Sequence, residues 1–304
     1  MLQNFHKNNL LIIDGHSCLY KSYYALINLK NKNKYPTGAI YGFINTLNYL
    51  NNILNPRKTI IVFDTKYKTN RTLLYKKYKN HRKPMPKNLY IQIKPLKKIL
   101  LAIGFPIITL KNIEADDIIG TLTQIFKKKF SKIFIYSSDK DMFQLINNNV
   151  HLIQNIKNLK ILSNLEVFKK FKLPAKKLVD FFSLTGDTVD NIPGVPGIGP
   201  KTALFLLKNF SSLKKIYKNL KNIEKNIEPK FQRILEILKK NKKNAFLSKK
   251  LIKINKNINL KINLKKIFQI NPNIPFLIKI FTKYQFYKYL KNIHNQEFSL
   301  LKKN

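Results

Sequence analysis

Nine carboxylates carry most of the chemical content of this sequence. They fall into five groups: Asp14; Asp64; Glu114, Asp116 and Asp117; Asp139 and Asp141; Asp187 and Asp190. The chain of 304 residues has only 15 acidic side chains against 58 Lys and Arg, and 11 of the 15 lie in the first 190 residues. Randomly placed surface acids would not group this way. Were the groups to converge, mutual repulsion would raise their pKa values and cost stability. Divalent cations resolve that conflict. A carboxylate-rich, cysteine-free set suits Mg²⁺, a hard cation that prefers oxygen ligands. Two such ions about 4 Å apart can activate a water and stabilise the leaving oxygen of an in-line phosphoryl displacement.

Each group also has a plainer reading. Glu114, Asp116 and Asp117 suit the dipole at the start of the helix they open. Asp139 and Asp141 suit a turn, and Asp187 suits an Asx turn. Asp14 and Asp64 resist such readings, because each ends an apolar run where a bare charge is costly.

The elements that must position these acids are legible in outline. Residues Asn9–Ile13 and Thr59–Phe63 are short apolar runs ending on Asp14 and Asp64, and Lys132–Tyr136 leads to Asp139. Unbroken apolar runs of this length read as buried parallel strands. Helical stretches lie between them at about Thr37–Leu54, Leu89–Leu101 and Ala115–Phe130. Strands alternating with helices imply an α/β fold whose central, mostly parallel sheet is covered on both faces. Open sheets of this kind bind ligands at the carboxyl edge of the strands. From about Pro174 the chain reads as helical, with a subdomain to about residue 250. The expected division is therefore an α/β unit over 1–173 and a helical unit over 174–304, with a closing helix near 275–291.

Two stretches point to a polyanionic partner. Residues 66–87 interleave bases with Tyr67, Tyr75 and Tyr78, a composition suited to single-stranded nucleic acid and equally to a solvated face. They are expected to form a basic arch over the sheet edge, spanning about 66–95. Residues Ile192–Leu207 place Gly194, Gly197 and Gly199 ahead of a helix beginning near Pro200, Lys201 and Thr202. Glycines let backbone N–H groups approach a phosphate, and the helix N-terminus adds a favourable dipole. This is the pattern of a helix–hairpin–helix, at about 185–210, which grips DNA backbone without reading bases. The net charge of +43 is weaker testimony. Only four of the basic residues are arginine (Arg57, Arg71, Arg82 and Arg233), and the wealth of Lys, Asn and Ile also fits an A/T-rich coding bias. One cysteine, Cys18, excludes an internal disulfide framework and fits a reducing, cytoplasmic setting. No apolar run approaches the roughly 18 residues a membrane span needs, and the short run Leu10–Ile13 does not make a secretory signal.

Taken together, these residues resemble the 5′→3′ exonuclease (flap endonuclease) domain of bacterial DNA polymerase I. The similarity runs through LLIIDGHSCLYKSYYAL near the start, PTGAIYGF (36–43), IIVFDTKYKTNR (60–71) and YKNHRKPMP (78–86). It continues through EADDIIGTL (114–122), SSDKDMFQL (137–145) and TGDTVDNIPGVPGIGPKTA (185–203), to FLIKIFTKYQFYKYL (276–290).

The resemblance implies a PIN-like, resolvase-like fold and a two-metal phosphodiester hydrolase acting in RNA-primer removal and DNA repair. It implies that Asp14, Asp64, Glu114, Asp116, Asp117, Asp139, Asp141, Asp187 and Asp190 are metal ligands. Asp139, Asp141, Asp187 and Asp190 would favour the second ion and the other five the first. Lys79 and Arg82 match a catalytic basic pair that steers the scissile phosphate, and Arg71 and Tyr78 match DNA-contacting positions of the arch. Lys21 stands where the family often has Arg, which removes a planar bidentate donor. Gly194, Gly197, Gly199, Lys201 and Thr202 would meet the duplex. Two Mg²⁺ ions, replaceable by Mn²⁺, and a K⁺ at the hairpin are the implied cofactors. The implied partners are DNA with 5′ flaps, nicks or 5′ ends, RNA-primed ends included, and a separate DNA polymerase. A monomer is expected, with no membrane. No polymerase module follows Asn304, so the nuclease module is expected to act alone. Two other readings are a catalytically inert, structure-specific DNA-binding protein of the same fold and a related nuclease acting mainly on RNA.

Overall fold

A computed structural model describes residues 8–156, 159–220, 229–263 and 266–301. Its centre is a six-stranded sheet in the order β3-β2-β1-β4-β5-β6. The strands are β1 (Asn9–Asp14), β2 (Lys58–Val62), β3 (Ile107–Ile108), β4 (Lys132–Tyr136), β5 (Val150–Ile153) and β6 (Ile161–Leu162). All pairings are parallel except that of β5 with β6. All six residues of β1 are buried. That explains its unbroken apolar run: with both faces covered, no position calls for a polar side chain.

Alternate residues of the strands feed two separate cores. Leu10, Ile12, Ile60, Val62, Ile133 and Ile135 face α5 (Ala115–Phe126) and the helical subdomain. Leu11, Ile13, Ile61, Phe63 and Phe134 face α1 (Gly15–Ala25), α2 (Gly38–Leu54) and α4 (Lys87–Ile103). The subdomain beside the first face contains α6 (Asn164–Phe171), α7 (Leu178–Thr185), α8 (Pro200–Phe210), α9 (Leu213–Lys218), α10 (Pro229–Lys240) and α11 (Lys242–Ile252).

Three sequence expectations need correction. The closing helix is two helices, α12 (Ile274–Tyr284) and α13 (Tyr287–His294), separated where Gln285 turns to a φ of 61°. By packing they belong to the second face of the sheet, since Leu277, Phe281 and Tyr289 share a core with Leu11, Phe43 and Phe63. The unit expected over 174–304 is thus divided between the subdomain and the α/β layer. Lastly, the stretch expected as an arch over about 66–95 divides into separate elements. It makes one five-residue helix, α3 (Asn70–Leu74), and turns up to Arg82. From Lys87 onward the chain is already α4, whose Leu89, Leu96 and Ile99 are core residues.

Candidate active site

The strand ends bring the acids to one edge. Asp14 is the last residue of β1 and the N-cap of α1, its Oδ1 accepting from Ser17 N at 3.0 Å. Its other oxygen accepts from Ser137 Oγ at 2.7 Å, which ties the ends of β1 and β4 together. Asp64 follows β2 and accepts from Ala115 N at 2.8 Å, so it holds the first turn of α5 against that strand. Glu114 is the N-cap of α5, and Asp116 and Asp117 lie in its first turn. Asp139 caps the 3-10 turn Lys140–Leu145 and accepts from Asp141 N at 2.8 Å. Asp187 and Asp190 come from the loop after α7, where Asp187 accepts from Val189 N at 3.0 Å, the Asx turn expected of that residue.

The nine acids divide by partner. Four are held by cations of the chain itself. Lys79 Nζ donates to Glu114 at 2.9 Å, and Arg82 donates to Asp190 at 2.6 and 3.0 Å. Lys140 pairs with Asp187 at 2.9 Å, and Arg71 grips Asp117 with two bonds of 2.7 and 2.8 Å. Asp14, Asp116, Asp139 and Asp141 have no ion pair among the described residues. Burial and neighbouring carboxylates push Asp14 up to about 7 and Asp141 up to about 8. Asp139 is raised and Asp116 is raised well above the ordinary carboxylate range, by burial first and then by nearby acids. Glu114 goes the other way: burial opposes its charge, but Lys79 and Arg71 outweigh it and lower its pKa.

Asp64 sits within 3.5 Å of His16 Nδ1. This is not an ion pair. The same nitrogen accepts from Asp64 N at 3.1 Å, and burial lowers the His16 pKa, so the ring is neutral. Among the described residues no three His, Cys, Asp or Glu side chains are already drawn into a closed metal shell. The donors are nonetheless all hard oxygens, and the uncompensated ones repel each other. That donor set fits a divalent oxygen-seeking ion.

Asp14, Asp64, Asp116 and Asp139 line a cleft of ≈ 520 Å³, with Lys21, Lys79 and Arg82 around it. Lys79 has a φ of 56°, a conformation uncommon for a side chain of its size, and Asp190 carbonyl accepts from its backbone N at 2.9 Å. The Arg82 side chain is 48% exposed and can meet a ligand while still holding Asp190. Lys21 lines the cleft but donates to the Gln154 carbonyl, and burial lowers its pKa. His16, Ser17, Tyr20, Tyr24 and Ser138, which did not stand out in the sequence, line the same walls. Their signal was position: they follow Asp14 at helical spacing or precede Asp139.

Some expected DNA contacts are not accessible. Arg71 is 8% exposed, and besides Asp117 it binds the carbonyls of Leu251 and Lys253 at 2.7 and 3.0 Å. Tyr78 is 5% exposed and donates its hydroxyl to Glu114 at 3.1 Å. Both are buried inside the protein because their polar atoms find partners there. Gly194 is also buried. A Cβ there would lie 2.4 Å from Gly186 N, and its own N–H donates to Ser248 Oγ at 2.9 Å, so it serves a tight backbone crossing. Gly197, Gly199 and Lys201 are exposed, Thr202 is half-buried, and α8 starts with Gly199 as N-cap and Pro200 in its first turn.

Comparison with known proteins gives consistent matches. The family model "5'-3' exonuclease, N-terminal resolvase-like domain" matches residues 9–172, and "5'-3' exonuclease, C-terminal SAM fold" matches 173–274. A "5'-3' exonuclease" of Buchnera aphidicola subsp. Baizongia pistaciae is 43% identical over 289 residues, covering 94% of this chain and 95% of that one. A "DNA polymerase I" of Caldicellulosiruptor bescii is 38% identical over 290 residues, covering 93% of this chain but 33% of the polymerase. A solved pseudo-enzyme-product complex of bacteriophage T5 D15 flap endonuclease with DNA and metal ions has a similar fold. Its TM-score is 0.65 at 20% identity, covering 91% of this chain and 98% of that one.

Proposed function

The chain belongs to the 5′-3′ exonuclease family, and on that premise we propose that it hydrolyses DNA at 5′ ends, nicks and 5′ flaps. The observation that carries the reading is the set of uncompensated carboxylates lining a cleft rimmed by Lys79 and Arg82. Asp14, Asp64, Asp116, Asp139 and Asp141 would hold Mg²⁺, with Mn²⁺ as a substitute, and Glu114, Asp187 and Asp190, held by Lys79, Lys140 and Arg82, would complete the set. Bound there, the ions would supply charge neutralisation and a more acidic water.

The chain's own residues do the rest. Arg82 can offer its guanidinium to the scissile phosphate, since half of it faces solvent. Lys79 stands between Glu114 and Asp190, 2.9 and 3.9 Å away, and presents one ammonium to both the acids and the substrate. The side chains of Tyr20 and Tyr24 stack at 6.4 Å between ring centres beside the cleft and give a face on which an end base can rest. In the hydrolysis, water oxygen bonds to phosphorus as the bond from phosphorus to the 3′ oxygen breaks. One fragment keeps a 5′-phosphate and the other a 3′-hydroxyl.

The exposed Gly197–Thr202 turn and the start of α8 would hold duplex backbone, with K⁺ at the hairpin. We divide the chain into a nuclease unit over 1–173 and a duplex-gripping unit from 174 to about 252, acting as a monomer in the cytoplasm. Primer removal and excision repair, beside a separate polymerase, are the processes such an activity serves. The test is a 5′-labelled flap, a nicked duplex and a single-stranded RNA, each with and without Mg²⁺, beside Asp64→Ala. Mg²⁺-dependent flap and nick products, lost in the variant, are expected. No product from the parent chain would leave an inert DNA-binding protein, and RNA-only cleavage would assign the site to RNA.

A further inference from the structure

Asp117 stands apart from the other acids because its carboxylate is already filled. Oδ1 accepts from Arg71 Nη2 at 2.7 Å and from Asn255 N at 2.8 Å, and Oδ2 accepts from Arg71 Nη1 at 2.8 Å. Arg71 spends its other bonds on the carbonyls of Leu251 and Lys253. Residues 253–258, which follow α11, form no helix or strand, yet buried side chains capture their backbone groups in turn. Gln144 takes Ile252 O and Ile254 N, each at 3.0 Å. Thr121, one turn along α5 from Asp117, takes Asn255 O at 3.3 Å and Ile258 N at 3.1 Å. At its other side α11 supplies Ser248, which accepts from Gly194 N in the hairpin.

A continuous set of bonds therefore runs from the hairpin through α11 to Arg71 and on to the first turn of α5. Arg71 also belongs to α3, so the same guanidinium fixes the base of the basic segment. A buried, bidentate carboxylate pair is geometrically rigid. We propose that Arg71 and Asp117 are a positioning pair that fixes the spacing between the duplex-gripping hairpin and the cutting centre, and so the position of the cut. Asp117 on this account holds no divalent ion. The proposal rests on the nuclease reading above and deepens it.

The test uses the full chain with Asp117→Asn and Arg71→Lys, beside Asp116→Asn, read in two ways. In the first, melting is followed with and without Mg²⁺. Asp117→Asn and Arg71→Lys lower both melting temperatures yet keep the parent's Mg²⁺-induced rise, whereas Asp116→Asn loses much of that rise. In the second, product lengths from a 5′ flap are mapped at saturating Mg²⁺, at a temperature where each variant is folded. The positioning variants spread the cut over neighbouring phosphates and slow it by about tenfold, whereas residual cutting by Asp116→Asn stays at the parent's position.

Loss of the Mg²⁺-induced rise in Asp117→Asn, as in Asp116→Asn, makes Asp117 a ligand and overturns the proposal. Folded variants that cut only where the parent cuts overturn it as well. If Asp117→Asn does not fold, Arg71→Lys carries both readings, since it keeps the charge and removes only the fork. A parent chain without Mg²⁺-dependent products would overturn the nuclease reading instead, and the melting comparison would still decide whether Asp117 binds an ion.

Discussion

The floor and the rim of the cleft solve the same electrostatic problem in opposite ways. At the rim, Lys79 and Arg82 meet the buried Glu114 and Asp190, while Lys140 meets Asp187 and Arg71 meets Asp117. On the floor, Asp14, Asp116 and Asp139, with Asp141 bonded to Asp139 beside them, meet mainly one another, and burial raises all four pKa values. A protein selected for stability alone would not keep such a floor, because each raised carboxylate weakens the folded state. On the proposed reading, the difference separates acids that shape the site from acids that would hold a cation.

The sharpest break of this comparison is activity. Asp116→Asn should lower Mg²⁺-dependent flap cleavage by at least roughly 10²-fold, as loss of a metal-site group commonly does. Quantified single-turnover rates check it. Lys79→Ala comes next, with an expected loss of about 10²-fold from removal of a preorganised charge beside the phosphate. Its rate should recover in part with Lys79→Arg.

A stability contrast follows. In metal-free solution near pH 8, Asp116→Asn should melt higher than the parent, since burial and neighbouring acids oppose the charge of the carboxyl it replaces, while Asp190→Asn should melt lower, since it takes the partner from Arg82. Equal shifts in the two variants would erase the distinction between floor and rim.

The pH dependence is gentler and has a fixed sign. Asp14 and Asp141 hold protons more tightly in the folded chain than in the unfolded one. Their contribution to metal-free stability is therefore full below the ordinary carboxylate range, and it is lost as pH rises through about 7 and about 8. Melting between pH 5 and 9 should show that decline, and Mg²⁺ should remove it. The smallest expected effect lies on the hairpin: Lys201→Ala should reduce the slope of log affinity against log salt by roughly 1, with little change in cleavage at saturating DNA.

Much of this was legible in the sequence, for a physical reason. Strands buried on both faces must be unbroken apolar runs, and an acid at the end of such a run is conspicuous, so Asp14, Asp64 and Asp139 marked both the sheet and its active edge. Partners across the fold were not legible. The resemblance gave Arg71 a DNA-contacting role, but its carboxylate partner, 46 residues away on another helix, could not be read from the sequence. The partners of Tyr78 and Gly194, Glu114 and Ser248, lie comparably far along the chain and were no more legible. Gln285, where the closing helix breaks, carries no glycine or proline to announce the turn.

The central claim is that the floor of the cleft needs divalent cations. It is tested most directly by titrating Mg²⁺ into the metal-free chain near pH 7.5 and measuring protons released. Asp14 and Asp141 are partly protonated there, and a metal must displace those protons. The account predicts saturable binding with proton release, both reduced in Asp116→Asn and both unchanged in Asp117→Asn. Binding without proton release, or none at all, would contradict it.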